Sequence, residues 1–221
     1  MGESSILTKL QKRFLELVAA EKSLTSKYYW TGGTVLSEFY LHHRYSEDID
    51  LFTENEEVQT DAISTFISRA SKKMGAQKVH YTQFLGLHTY IFEFPKNSTF
   101  KVDFNYYPFP RLEKGGNYDG ILFDSVLDIA VNKIQTISTK PRSRDFIDLY
   151  MILKKYNYEL IDLMKKARLK FDWYTDPLQL AANFLLATKV TDFPKMLIKL
   201  PDKKWREYFL QKAKELKTEV F

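Results

Sequence analysis

The sequence predicts an α+β protein, on three observations. Strand-like runs crowd into residues 28–106, helical periodicity takes over from Ser125, and a Gly-Gly turn followed by an Asp-x-Asp pair lies inside the strand-rich part. Strands and helices segregated in this way argue for a lobe built on a mixed β-sheet with flanking helices, followed by a mainly helical lobe. The expected division is residues 1–124 and 125–221.

The elements follow in order. Residues 6–20, ILTKLQKRFLELVAA, are apolar at 6, 10, 14, 17 and 18, the spacing of a helix face. Ser23 to Lys27 breaks that helix, and Tyr28 to Thr31 reads as a short buried strand. Gly32 and Gly33 turn the chain into a helix over Thr34 to His43. Ile49 to Thr53 is the second strand, with Asp48 at its start. Thr60 to Met74 is helical, with Ala62, Phe66, Ile67 and Ala70 on one side and Gly75 as its cap. Three strands follow at 77–83, 87–94 and 99–106, the last two joined by the turn Pro95-Lys96-Asn97-Ser98. Residues 115–120 read as a loop. From Ser125 the pattern is helical, punctuated by Pro141, Pro177, Pro194 and Pro201.

Composition narrows the chemistry. The 221 residues are 44% hydrophobic and 28% charged, as expected of a globular protein. No cysteine is present, so disulfides and thiolate metal sites are excluded. No apolar run approaches the ~20 residues of a membrane span, and Met1 to Ser5 has neither the basic nor the apolar part of a signal peptide. A cytoplasmic protein without a membrane partner is expected. The net charge of +5 is uneven: residues 151–221 hold 15 Lys+Arg against 9 Asp+Glu, and the remainder 18 against 19. A basic helical lobe suits a polyanion such as RNA, although excess lysine also serves solubility.

The candidate site begins at Gly32 and Gly33. Without Cβ atoms, their backbone can approach a phosphate closely, and the next helix offers free N–H groups. Thr34 can add a hydroxyl donor. Asp48 and Asp50, two apart on a strand, point to one side. Two convergent carboxylates beside a phosphate-binding turn suit Mg²⁺, or Mn²⁺, and a nucleoside triphosphate. Asp103, an isolated acid between Val102 and Phe104, is the expected third carboxylate. Ser46 is placed to donate to a phosphate or to fix Asp48, and Arg44 to touch the triphosphate or pair with Glu47. Glu47 faces solvent by strand alternation. Adjacent His42 and His43 diverge on a helix and do not make a zinc site. The aromatic residues, among them Tyr28, Trp30, Tyr106, Trp173 and Tyr174, are assigned to the core rather than to base stacking.

The run Gly32-Gly33-Thr34-Val35-Leu36, the spacer, and Arg44-Tyr45-Ser46-Glu47-Asp48-Ile49-Asp50-Leu51-Phe52 resemble the core of DNA-polymerase-β-like nucleotidyltransferases. Within that superfamily the form resembles the AbiEii/AbiGii toxin group. A second stretch supports the same resemblance: helical Lys133, then Arg142-Ser143-Arg144-Asp145-Phe146-Ile147-Asp148-Leu149. The likeness covers about residues 28–150. It implies a nucleotidyltransferase-type fold, with Lys133 on the triphosphate and Asp145 and Asp148 completing the site. Read by themselves, Asp145 is a helix N-cap and Asp148 a favourable charge in the first turn. Which aspartate acts is left open.

The resulting expectation is a nucleotidyltransferase that moves a nucleoside monophosphate from an NTP to a hydroxyl acceptor, with Mg²⁺ held by Asp48, Asp50 and Asp103. Gly32, Gly33, Thr34, Arg44, Ser46 and Lys133 would bind the nucleotide. By resemblance, it would be the toxin of a type IV toxin–antitoxin or abortive-infection system, with tRNA as acceptor and an antitoxin as partner. Two alternatives stand beside it: a non-catalytic nucleotide- or RNA-binding subunit of the same fold, and an antibiotic nucleotidyltransferase.

Overall fold

The computed structural model describes residues 5–172 and 176–218, so Trp173 and Tyr174 lie outside the described residues. The chain divides into two compact units. The first comprises Met1–Phe39, Ser46–Pro110 and Lys114–Ser125; the second comprises Tyr40–Tyr45, Arg111–Glu113 and Val126–Phe221. Two short segments expected in the sheet lobe, 40–45 and 111–113, thus belong to the helical unit.

The first unit is built on a seven-stranded mixed sheet. Its strands are β1 (Tyr29–Thr31), β2 (Ile49–Thr53), β3 (Lys78–Phe84), β4 (Leu87–Phe94), β5 (Ser98–Tyr106), β6 (Gly116–Tyr118) and β7 (Ile121–Phe123), in the order β3-β4-β5-β2-β1-β7-β6. The pairs β2–β5 and β1–β7 are parallel and the others antiparallel. Helix α1 (Lys9–Ala19) starts at a capping box, in which Thr8 accepts from the Gln11 backbone and the Gln11 side chain accepts from Thr8. After α2 (Lys22–Thr25) and β1 comes α3 (Gly32–Val35), which runs into a π-helical turn at Leu36–Leu41. Helix α4 (Thr60–Met74) ends at Gly75 in the left-handed conformation.

Strand alternation sorts the residues of β2 and β5. Ile49, Leu51, Val102 and Phe104 are fully buried on one face. Phe14 of α1 completes this core, edge-on to Phe66, Phe92 and Phe100 at 5.4–5.9 Å between ring centroids. Truncating such a ring to alanine costs about 3–5 kcal/mol. The opposite face of the same strands carries Asp50, Lys101, Asp103 and Asn105, with Phe52 beside Asn105.

Three sequence expectations require correction. The helix after the glycine turn starts at Gly32 and ends at Leu41, because His42 takes φ +48°. Residues 115–120 are no loop: β6 and β7 form a hairpin through Asp119 (φ +49°) and Gly120 (φ +91°). An Asp-Gly pair suits a turn with two positive φ values, and three-residue strands are too short to show alternation. Asp145 is not an N-cap, since helix α6 (Ser143–Tyr156) is preceded by Arg142 and Asp145 is its third residue.

The second unit is helical, with α5 (Val126–Thr139), α6, α7 (Leu160–Phe171), α8 (Pro177–Leu185) and α9 (Asp202–Thr218). Phe146, Phe184, Trp205 and Phe209 are fully buried, and Phe209 lies 5.0 Å from both Phe146 and Phe184. The segment 43–45 is tied to 195–197 by backbone bonds: Tyr45 N–H donates to Lys195 at 2.8 Å and Leu197 N–H to His43 at 2.9 Å. Among the described residues, no helix is long and apolar enough to cross a membrane.

Candidate active site

The polar face of the sheet carries a row of side chains set by strand register. Thr31 of β1 pairs with Asp50 of β2, Asp50 with Asp103 of β5, and Asp103 with Thr89 of β4. Continuing the parallel register one step back from Ile49↔Val102 sets Asp48 beside Lys101. Asp50 on β2 and Asp48 just before it therefore face a carboxylate and a lysine on β5.

Each acid is held by specific partners. Thr89 Oγ1 donates to Asp103 Oδ1 at 2.6 Å. Lys101 Nζ donates to Asp103 Oδ2 at 2.7 Å and to Asp48 Oδ2 at 3.0 Å, bridging the two. Burial works against the charge on Lys101, but the two aspartates outweigh it and hold its pKa above the usual lysine value. Asp50 rests over the glycine turn, where a Cβ on Gly32 would collide with its Oδ2. Gly32 also has φ +82°, a conformation that favours glycine. At the end of the row, Thr31 Oγ1 donates to Asp124 Oδ2 at 2.5 Å, and Asp124 is fully buried.

Two further side chains fix the backbone around Asp48. Thr34 is fully buried and donates its hydroxyl to the backbone carbonyl of Asp48 at 2.5 Å. Gln11 Nε2 donates to the carbonyl of Ser46 at 2.8 Å, so the capping-box residue of α1 also anchors the approach to Asp48. Glu47, which precedes β2, is exposed.

A hard divalent cation fits this donor set in its chemistry, since all three acids offer carboxylate oxygen. Asp48 and Asp103 already converge on one cation, the Lys101 ammonium. Among the described residues, however, no three His, Cys, Asp or Glu side chains stand close enough to hold a metal ion as they are.

The second unit holds a separate charge cluster. Arg44 grips Asp148 through a fork, Nε to Oδ1 at 2.6 Å and the terminal nitrogen to Oδ2 at 2.8 Å. His43 Nε2 lies 2.8 Å from Asp148 Oδ1. Lys133 Nζ is 2.7 Å from both Asp145 Oδ1 and Asp148 Oδ2, and Arg142 Nε donates to Asp145 Oδ2 at 2.9 Å. Burial alone would raise the pKa of Asp148, but Arg44 and Lys133 pull it well below the usual carboxylate value. Asp145 is lowered in the same way, against its burial, by Lys133 and Arg142. Burial drives His43 below the usual histidine value, and Asp148 offsets this only in part. A neutral His43 donating from Nε2 agrees with the buried Nδ1, which has no hydrogen-bond partner.

The structure thus brings Asp48, Asp50 and Asp103 onto one face with Gly32 at its edge, and gathers Arg44, Lys133, Asp145 and Asp148 into one network. Arg44 pairs with Asp148. Sequence reasoning missed Lys101, Thr89, Gln11 and Asp124. Only Lys101 left a signal, a charge at i−2 from Asp103 on the same strand face.

Known proteins resemble this chain in sequence and in fold. Over residues 13–218 the sequence matches the model of the family described as nucleotidyl transferase AbiEii toxin, type IV TA system. It is 32% identical over 167 residues to the uncharacterized protein aq_aa25 of Aquifex aeolicus (strain VF5), spanning 75% of this chain and 76% of that one. Two Helicobacter pylori crystal structures share the fold. JHP933 aligns with a TM-score of 0.59 at 18% identity, covering 97% of this chain and 94% of its own. A chain described as a "putative nucleotidyltransferase" aligns with a TM-score of 0.60 at 17% identity, covering 97% of both. The chain belongs to the AbiEii family of nucleotidyltransferase toxins of type IV toxin–antitoxin systems.

Proposed function

We propose that this protein transfers a nucleoside monophosphate from an NTP to a hydroxyl of an RNA acceptor, tRNA being the first candidate, with Mg²⁺ or Mn²⁺ as cofactor. The observation that carries this reading is the register of β2 and β5. It sets Asp50 beside Asp103 and Asp48 beside Lys101, with Gly32 packed against Asp50.

Asp48, Asp50 and Asp103 would hold the divalent ion, which when bound neutralises the triphosphate and lowers the barrier to attack by the acceptor hydroxyl. The hydroxyl gives up its proton to solvent and its oxygen bonds to the α-phosphorus, while the bond from that phosphorus to the bridging β-phosphate oxygen breaks and pyrophosphate leaves. Gly32 and Gly33 would offer backbone N–H groups to the phosphates. Thr34, through the Asp48 carbonyl, and Thr89, through Asp103, orient the acids. Ser46 would add a donor beside Asp48. Lys133, Asp145 and Asp148 enter the reaction through the family resemblance, and their side chains bind one another here. Arg44 positions Asp148. The basic residues of 151–221 supply the attraction for RNA, and an antitoxin protein is the expected regulator.

The test is transfer of label from each of the four α-³²P NTPs, with Mg²⁺, to total cellular RNA. Wild type is run beside Asp48→Ala and Asp50→Ala. Label in a tRNA-sized band with wild type alone supports the reading and names the nucleotide. Full transfer by either variant overturns the metal assignment. Nucleotide binding without pyrophosphate release would favour a non-catalytic subunit, and label on an aminoglycoside alone would favour an antibiotic-modifying enzyme.

A further inference from the structure

Lys101 stands apart from Lys133 and Lys170, the described lysines whose aspartate partners are fully buried. It and Asp103 lie two apart on β5, so both point to the polar face, and the register sets Lys101 opposite Asp48. Its ammonium spans two carboxylates that belong to different strands, at 2.7 and 3.0 Å. Lys170, paired with Asp128, is closed off from solvent, and Lys133 lies between two aspartates with almost none of their surface exposed. Lys101 is different: about a third of its side chain, 35%, and a quarter of that of Asp48, 26%, meet solvent. A lysine ammonium is a point charge on a flexible four-carbon stem. It can leave one carboxylate for water without unpairing a buried group.

Three carboxylates on neighbouring strands repel one another unless a cation stands among them. We propose that Lys101 is the resident cation of this cluster. It holds Asp48 to Asp103 in the metal-free protein and yields Asp48 when a divalent ion binds, thereby weakening affinity for the free ion. The inference rests on the reading that these aspartates take a divalent ion. Its consequence is selectivity: a metal arriving with a triphosphate brings extra contacts that displace the lysine, whereas the free ion competes with it unaided. Lys101 is thus a positioning residue, acting through Asp48 and Asp103.

The experiment is Mn²⁺ binding by calorimetry to the full chain, with no nucleotide present, together with thermal unfolding in EDTA. Wild type is compared with Lys101→Met, Lys101→Gln and Asp48→Asn. Lys78→Met, on exposed β3, is a control that removes the same charge elsewhere. The expected result is Mn²⁺ bound about three- to tenfold more tightly by the Lys101 variants than by wild type and the Lys78 control. Their melting temperature should fall in EDTA and recover on adding Mn²⁺. The glutamine variant gives the same reading should methionine disturb folding. Equal or weaker binding by a folded Lys101 variant, with wild type binding normally, overturns the role of Lys101 alone. Absence of Mn²⁺ binding by wild type and the Lys101 variants overturns both this inference and the metal reading beneath it.

Discussion

Gly32 packs directly against Asp50: a Cβ on the glycine would collide with Oδ2 of the aspartate. The glycine turn and the acidic strand, joined through residues eighteen positions apart in sequence, are therefore one steric unit. Either can be disturbed through the other.

Gly32→Ala should displace Asp50 and also strain a backbone at φ +82°. A cost of about 1–3 kcal/mol in stability is expected, with loss of nucleotidyl transfer of about 100-fold or more. Gly75→Ala is the control, since Gly75 also has positive φ but open space where its Cβ would stand. It should cost about 1 kcal/mol and leave transfer unchanged. Urea unfolding and transfer rates of both variants decide the matter, and wild-type transfer by the Gly32 variant would refute the link.

Thr34 lends its hydroxyl to the carbonyl of Asp48 rather than leaving it open to a ligand. Thr34→Ser keeps that donor and should retain transfer. Thr34→Val leaves a carbonyl short of its partner, at about 1–3 kcal/mol, and loosens the backbone that aims Asp48. A drop in transfer for valine but not serine is expected; equal rates would show that the bond does not position Asp48.

Arg44 and Asp148 form a forked ion pair with almost no solvent contact. Arg44→Met removes a partner from a buried carboxylate, and a loss of about 3–5 kcal/mol in unfolding free energy is expected. Arg44→Lys keeps the charge but not the fork and should fall between. Chemical denaturation of the three proteins at neutral pH measures it, and a methionine variant as stable as wild type would count against the network.

The same network predicts acid sensitivity. Both His43 and Asp148 have pKa values below their ordinary ones. The unfolded chain then binds protons that the folded chain refuses, so stability falls as pH falls. The His43 contribution is full above about pH 6.5 and declines below it. That of Asp148 is full above about pH 4 and is lost only in stronger acid. Unfolding free energy should therefore drop between pH 7.5 and 5.5, and His43→Gln should flatten that slope. An unchanged slope in the variant would show that His43 is not the titrating group.

Much of this was legible beforehand, for local reasons. β4 runs from Leu87 to Phe94 as its alternation indicates, and Gly75 closes α4 in the left-handed conformation. Asp48 and Asp50 share a face because strand geometry has period two. The β6–β7 hairpin escaped notice because three residues carry too little periodicity, although Asp119-Gly120 marked its turn.

The sequence by itself determined the kinds of element, the glycine turn, the paired aspartates and the family. Those signals depend on neighbours within a few residues along the chain. Tertiary structure alone decided that Asp50 faces Asp103 and that Lys101 joins Asp48 to Asp103. It alone placed Arg44 on an aspartate 104 residues away. A lysine in a strand or an arginine in a loop reads as a solvated charge. Only strand register and helix packing bring such a charge beside its partner, and local spacing encodes neither.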